Sequence, residues 1–117
     1  MMNSTKIVAY LDDFQMSAHL AKLASLNDYQ LHFFDEKEEL NIYSQAIFII
    51  DVDYVSNSQL KNIVSLKKKD LLFILGYKNK MDIILSKEYI KLGYDTIFDR
   101  KKLIKNLVSI VNKIRHG

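Results

Sequence analysis

Four aspartates fall directly after two apolar segments that lie far apart in the sequence. Asp12 and Asp13 follow the run TKIVAYL, and Asp51 and Asp53 follow the run AIFII. Carboxylates that crowd together repel one another and resist full ionisation, and a divalent cation relieves that repulsion. Because hard oxygen ligands with room for water suit Mg²⁺, this grouping predicts a magnesium site. A carboxylate beside bound Mg²⁺ is also suited to attack a phosphoryl group.

Each of these acids, taken singly, also has an ordinary structural explanation. Asp12 or Asp13 is suited to cap the following helix, because a carboxylate accepts hydrogen bonds from the first free N–H groups. Asp51 and Asp53 are typical turn residues after a strand. Both explanations stay open until it is known whether the two pairs of acids meet in space.

Strand-like apolar runs alternate with helical patterns along the chain. The strand-like runs cover residues 5–11, 30–34, 46–50, 71–75 and 95–98. Helices are predicted from apolar spacing, or from charge in the second of them, over residues 16–24, 36–43, 60–64, 81–92 and 103–114. Strands that alternate with single helices predict right-handed βαβ units and a parallel sheet covered by helices on both faces.

The predicted fold class is therefore α/β, a three-layer αβα sandwich of the flavodoxin-like kind. Its five-stranded parallel sheet is expected in the order 2-1-3-4-5, the common order for five such units. In that order the ligand crevice lies at the carboxyl ends of the first and third strands, where both pairs of acids fall. The length predicts a single domain over residues 1–117.

The composition excludes several classes of function. The chain has no cysteine, so disulfides, thiolate metal sites and thiol nucleophiles are excluded. Three scattered glycines form neither a Walker loop nor a dinucleotide fingerprint, and there is no G-x-S-x-G elbow. The net charge of +3 comes from lysines more than arginines, which is weak support for nucleic-acid recognition. No apolar run approaches membrane-spanning length. We expect a cytoplasmic protein that is not an enzyme and contacts neither nucleic acid nor membrane.

The sequence resembles the receiver domains of bacterial response regulators, the chemotaxis-regulator-like fold. The runs KIVAYLDDFQM, IFIIDVD and LLFILG…IKLGYDTIF carry the resemblance, which covers nearly the whole chain. It implies that Asp51 is the phosphoacceptor and that Asp12 and Asp13 bind Mg²⁺ as the cofactor. Asp53 matches the position that lends its backbone carbonyl to the metal, and its carboxylate is unusual there. The implied partner is a sensor histidine kinase or a phosphotransfer protein.

Three positions depart from the family's pattern. The serine or threonine that ends the fourth strand in the family is matched by Gly76, which has no hydroxyl for a phosphoryl oxygen. Counted from Gly93 without gaps, Arg100 matches the lysine after the fifth strand, although its planar guanidinium is not interchangeable with an ammonium. With a one-residue shift, Asp99 takes that position instead. Lys101 takes the place of the proline that follows, so the peptide bond before it is expected to be trans.

Two functions stay open at the level of sequence. In the first, the chain is an atypical receiver in a phosphorelay, and Asp51 passes the signal to an output such as transcription. In the second, it is a pseudo-receiver that works without phosphate as a dimerisation or protein-docking module. The resemblance implies a homodimer contact on the last strand and its flanking helices, a surface expected to carry Tyr89 and Tyr94. An ordinary solvated surface is the open alternative. The sequence fits a complete regulator and the N-terminal part of a longer protein equally well.

Overall fold

The computed structural model describes residues 5–35, 45–70 and 73–116, with side chains except at 66–70 and 116. In these residues the strands are β1 (Lys6–Tyr10), β2 (Gln30–Phe33), β3 (Ala46–Asp51), β4 (Phe73–Lys78) and β5 (Thr96–Asp99). The helices are α1 (Phe14–Asn27), α2 (Asn57–Asp70), α3 (Ile83–Leu92) and α4 (Arg100–His116). The charged helix predicted for residues 36–43 lies outside the described residues.

All five strands are parallel and form one sheet in the order β2-β1-β3-β4-β5, which confirms the predicted topology. β1, β3 and β4 are central, and β3 is apolar and buried from Ala46 to Ile50, as expected of a strand that helices cover on both faces. The register pairs Tyr10 with Ile50 and Asp51 with Tyr77. The carboxyl ends of the central strands therefore lie at the same edge of the sheet.

The sheet separates two hydrophobic clusters, which confirms the three-layer architecture. On one face, buried side chains of the sheet pack against α2 and α3; this cluster includes Val8, Phe48, Ile50, Leu60, Ile63, Ile74 and Tyr94. On the other face they pack against α1 and α4; this cluster includes Ile7, Met16, Leu20, Ile49, Leu75, Leu103 and Val111. Each fully buried large apolar side chain contributes about 1.5–3 kcal/mol, so both helical layers are held firmly on the sheet.

Two sequence-based expectations need correction. β4 runs from Phe73 to Lys78, beyond its predicted end at residue 75, because the backbone ladder with β3 and β5 continues after the apolar run stops. Tyr94 was expected on the surface beside the last strand, but it is 3% exposed and packs edge-on against Tyr89. The pattern misassigned Tyr94 because a polar hydroxyl does not prevent an aromatic ring from filling a core.

The connection from β5 to α4 has no intervening loop, and this fixes where Arg100 lies. Asp99 ends the strand and Arg100 begins the helix. Asp99 Oδ1 accepts a hydrogen bond from the backbone N–H of Lys101 at 3.0 Å. The described residues contain no cis peptide bond, which agrees with the trans bond predicted before Lys101. Arg100 is therefore placed at the same edge of the sheet as the acids.

None of the helices in the described ranges combines the length and the apolar character that crossing a bilayer requires.

Candidate functional site

One pocket at the carboxyl edge of the sheet contains both pairs of predicted acids. It has a volume of about 410 Å³ and is lined by Asp12, Asp13, Asp51, Asp53, Tyr77, Lys78, Asn79 and Arg100. The acids that follow β1 therefore meet those that follow β3, as the strand order predicted. Their roles as phosphoacceptor and metal ligands stay predictions.

Asp13 caps α1 and at the same time binds the guanidinium of Arg100. Its Oδ1 accepts hydrogen bonds from the backbone N–H of Met16 and from Arg100 Nη2, both at 3.0 Å. Its Oδ2 accepts from Arg100 Nε at 2.9 Å and from the Tyr77 hydroxyl at 3.1 Å. The side chains of Asp13 and Arg100 are 16% and 20% exposed. This is a bidentate, partly buried ion pair, the strong form of a charge-assisted hydrogen bond.

The electrostatics of Asp13 follow from these bonds. The hydrogen bonds from Arg100 hold the pKa of Asp13 at about 2, although burial opposes this, and the Met16 N–H and the Tyr77 hydroxyl add to the lowering. In return, the bond to Asp13 raises the pKa of Arg100. Burial, followed by the charges of Asp51 and Asp13, raises the pKa of Tyr77. Asp13 is therefore ionised, and Arg100 neutralises it inside the protein.

A second cation, Lys78, also reaches the pocket. Lys78 Nζ donates to Asp53 Oδ1 at 2.6 Å, and this bond raises the pKa of the lysine. The Asp53 side chain is 55% exposed, so water screens this pair far more than the pair at Asp13. Sequence reasoning missed Lys78 because it ended the fourth strand at residue 75. The sequence feature that could have predicted it is the position of this lysine, three residues after the apolar run, close to the carboxyl end of the strand.

Asp51 differs from its neighbours in its electrostatics. Burial raises the pKa of Asp51, and the negative charges of Asp53 and Asp13 raise it further. Its Oδ1 accepts a hydrogen bond from the backbone N–H of Asp53 at 3.0 Å, so the turn interpretation of these residues is also correct. In the described part of the chain, neither Asp51 nor Asp12 forms an ion pair.

Gly76 does not face the pocket. A Cβ atom at this position would lie 2.7 Å from Ile97 Cδ1 and 2.8 Å from the ring of Tyr94, in the cluster beneath α2 and α3. Because side chains alternate along a strand, the next residue, Tyr77, points to the opposite face and pairs in register with Asp51. The β4 side chain that reaches the acids is therefore that of Tyr77.

The receiver resemblance implies a Mg²⁺ ion among these acids. Mg²⁺ requires near-octahedral oxygen ligands at roughly 2.0–2.1 Å. In the described ranges, no group of three or more acidic or histidine side chains is arranged to hold a metal ion. Asp13 and Asp53 instead form ion pairs with two protein cations, Arg100 and Lys78. As arranged here, the acids do not fit a resident Mg²⁺.

Comparison with solved structures identifies the architecture as the receiver-domain fold. The chemotaxis protein CheY4 of Vibrio cholerae matches with a TM-score of 0.74 and 14% identity, over 95% of this chain and 98% of that one. Full-length FixJ of B. japonicum matches with a TM-score of 0.67 and 20% identity, over 97% of this chain and 59% of that one. A putative pilus assembly protein (cpaE) of Burkholderia thailandensis matches with a TM-score of 0.60 and 13% identity, over 93% and 98%.

No model of a known protein family matches the sequence, and no curated protein matches it. At identities of 20% or less, the structural likeness establishes the fold alone. The function therefore has to be argued from the pocket and the surface.

Proposed function

We propose that this chain is a receiver-fold docking domain of a two-component type of signalling system, and that it works without phosphoryl transfer. The observation that carries the proposal is the bidentate pair between Arg100 and Asp13. In a receiver that accepts phosphate, the residue matching Asp13 is needed for the metal. Here both of its oxygens are already bonded to Arg100 and to further donors.

The receiver fold supports a partner of the two-component class. Receiver-fold relatives point to a sensor histidine kinase or a phosphotransfer protein, which would recognise the outer surface of the domain rather than a phosphoaspartate. The putative pilus assembly protein, a structural neighbour, has this fold and is not named as a response regulator. The proposal places the domain in the cytoplasm and assigns it no enzymatic activity and no direct nucleic-acid contact.

The proposed contact surface is a groove between α3, β5 and the start of α4. It has a volume of about 480 Å³ and is lined by Met81, Asp82, Ile83, Ser86, Lys87, Ile97, Phe98, Asp99 and Lys102. The side chains of Ile83 and Ile84 on α3 are 75% and 78% exposed. Exposure of neighbouring apolar side chains to water is unfavourable and indicates a contact surface. The groove carries two aspartates and two lysines, so a second copy related by two-fold symmetry would present matching charges. We therefore propose a homodimer as its occupant.

Replacement of Ile83 by aspartate tests the dimer. We expect the Ile83→Asp variant to weaken self-association by about tenfold or more, because a charge would enter the apolar centre of the contact. The measurement is sedimentation equilibrium over a range of protein concentrations. Leu26, 71% exposed on α1, supplies the control Leu26→Asp, which should leave association unchanged. A wild-type protein that stays monomeric at all concentrations would contradict the dimer.

Phosphorylation of Asp51 is the second candidate function, and one observation favours it. Asp51 lies in the pocket at the end of β3 and forms no ion pair in the described ranges. This is the placement that the resemblance assigns to a phosphoacceptor. For this function to operate, Arg100 would first have to release Asp13.

Titration with Mg²⁺ and beryllofluoride, a phosphoryl mimic, separates the two candidates. We expect the backbone amide signals of Asp12, Asp13 and Asp51 to stay in place at millimolar Mg²⁺ and excess mimic, because Arg100 occupies Asp13. The measurement is a two-dimensional ¹⁵N–¹H NMR spectrum. Asp51→Asn is the matched control. Shifts around the pocket in the wild type that disappear in Asp51→Asn would establish the phosphoacceptor and overturn the proposal.

A further inference from the structure

We infer that Arg100 is the internal counter-ion of the acid pocket and excludes divalent cations from it. This inference deepens the proposed function and rests on it. The receiver resemblance implies a magnesium site here, but in the folded pocket Arg100 binds both oxygens of Asp13.

The two protein cations of the pocket are not equivalent. Arg100 and Asp13 are each at most 20% exposed, and their two bonds run between a planar fork and both oxygens of the carboxylate. Lys78 makes a single short bond to Asp53, which is 55% exposed. Water and salt screen the exposed pair and favour its exchange. Arg100 is therefore the cation that controls the pocket.

Arg100 is held in place from the side of α1 as well. Its Nη2 also donates to Gln15 Oε1 at 2.8 Å, so the guanidinium bridges two residues of the same helix terminus. A second polar contact joins the two helices, between His19 Nε2 and the carbonyl oxygen of Ile104 at 2.9 Å. Because α4 is fastened to α1 at two points, the guanidinium is fixed before any ligand arrives. An incoming divalent cation would have to displace it rather than fill a vacancy.

The identity of the cation matters for this role. An ammonium is a compact point charge, whereas the guanidinium presents several donors in one plane. A lysine at this position would keep the charge but lose the simultaneous bonds to both oxygens of Asp13 and to Gln15. We therefore expect Arg100→Lys to exclude divalent cations less well than the wild type, and better than a variant without the charge.

Terbium luminescence provides the test, with Tb³⁺ as the probe and Mg²⁺ as the competitor. The chain has seven tyrosines and no tryptophan, so tyrosines sensitise the emission, and Tyr77 lines the pocket. We expect Arg100→Ala to bind Tb³⁺ roughly 10- to 100-fold more tightly than the wild type, which corresponds to removal of one charge-assisted pair. Arg100→Gln repeats the test with more of the side chain retained, and circular dichroism establishes that each variant is folded.

The controls separate the contribution of Arg100 from a general change in charge. Lys78→Ala removes the same charge from the exposed pair and should gain much less affinity. Adding Asp13→Asn to Arg100→Ala should abolish the gain. Equal Tb³⁺ affinity in the wild type and in both folded Arg100 variants would overturn the inference. Such a Tb³⁺ result would leave the proposed docking function standing as long as the wild type still shows no amide shifts with Mg²⁺ and beryllofluoride. Failure of this inference and failure of the proposed function are therefore distinguishable.

Discussion

Acidification should cost this domain about 2 kcal/mol of its free energy of unfolding through Asp13 alone. The pKa of Asp13 is held at about 2, against an ordinary value of 3.8 for an aspartate, and each pKa unit is equivalent to about 1.4 kcal/mol. Because the folded state binds this proton less readily than the unfolded state, the stabilisation is fully present above about pH 4 and is lost as the pH falls through about 2. Urea denaturation at a series of pH values measures the loss.

Arg100→Ala should remove most of this pH dependence, because the bonds from the guanidinium are the largest cause of the lowered pKa. At neutral pH the variant should be less stable by about 2 kcal/mol. Tyr77→Phe removes only the hydroxyl that donates to Asp13 and should cost about 1 kcal/mol. Lys78→Ala breaks the exposed pair and should change the stability by less than about 1 kcal/mol.

Asp51 affects the pH dependence of the free energy of unfolding in the opposite direction to Asp13. The two contributions must therefore be separated in the same experiment. Its pKa is raised, chiefly by burial, so its contribution to stability decreases as the pH rises through the folded-state value. Measurements in the Asp51→Asn background remove this opposing effect. If the acid-dependent loss keeps its full size in Arg100→Ala in that background, the assignment of the lowered pKa to Arg100 is wrong.

The Gly76→Ser variant, which would supply the hydroxyl that the receiver pattern has at the fourth strand, should destabilise the fold by about 1–3 kcal/mol. A Cβ atom there would lie 2.7–2.8 Å from Ile97 Cδ1 and the buried ring of Tyr94. The new hydroxyl would enter the core rather than the pocket. We therefore expect no gain in the response to Mg²⁺ and beryllofluoride, as measured by NMR, and a lower midpoint of urea denaturation.

Gly76→Ala is the matched control, because it adds the same Cβ atom without the hydroxyl. It should show a large part of the same loss of stability if steric overlap is the cause. The serine variant adds the cost of a polar group buried among apolar side chains. A serine variant that is as stable as the wild type and responds to the mimic would show that this position faces the acids.

The sequence by itself determined the architecture and the meeting of the acids. Fully apolar runs such as 46–50 specify central strands, and the alternation with helices specifies a parallel sheet and its order. Once the order is known, the segments after the first and third strands must share one edge of the sheet. This is why Asp12, Asp13 and Asp51 were expected in one pocket, and they are found there.

Only the tertiary structure decided which residues the acids bind. The alternation of strands and helices is enough to predict a parallel sheet. The face of the sheet on which one side chain lies depends on the exact register, and a shift of one residue moves the side chain to the other face. For this reason the sequence did not show that Gly76 faces Tyr94 while Tyr77 faces Asp13. The bond between Arg100 and Asp13 joins residues 87 positions apart, and its two hydrogen bonds depend on how α4 begins beside α1. A local pattern specifies neither the position nor the orientation of such a pair.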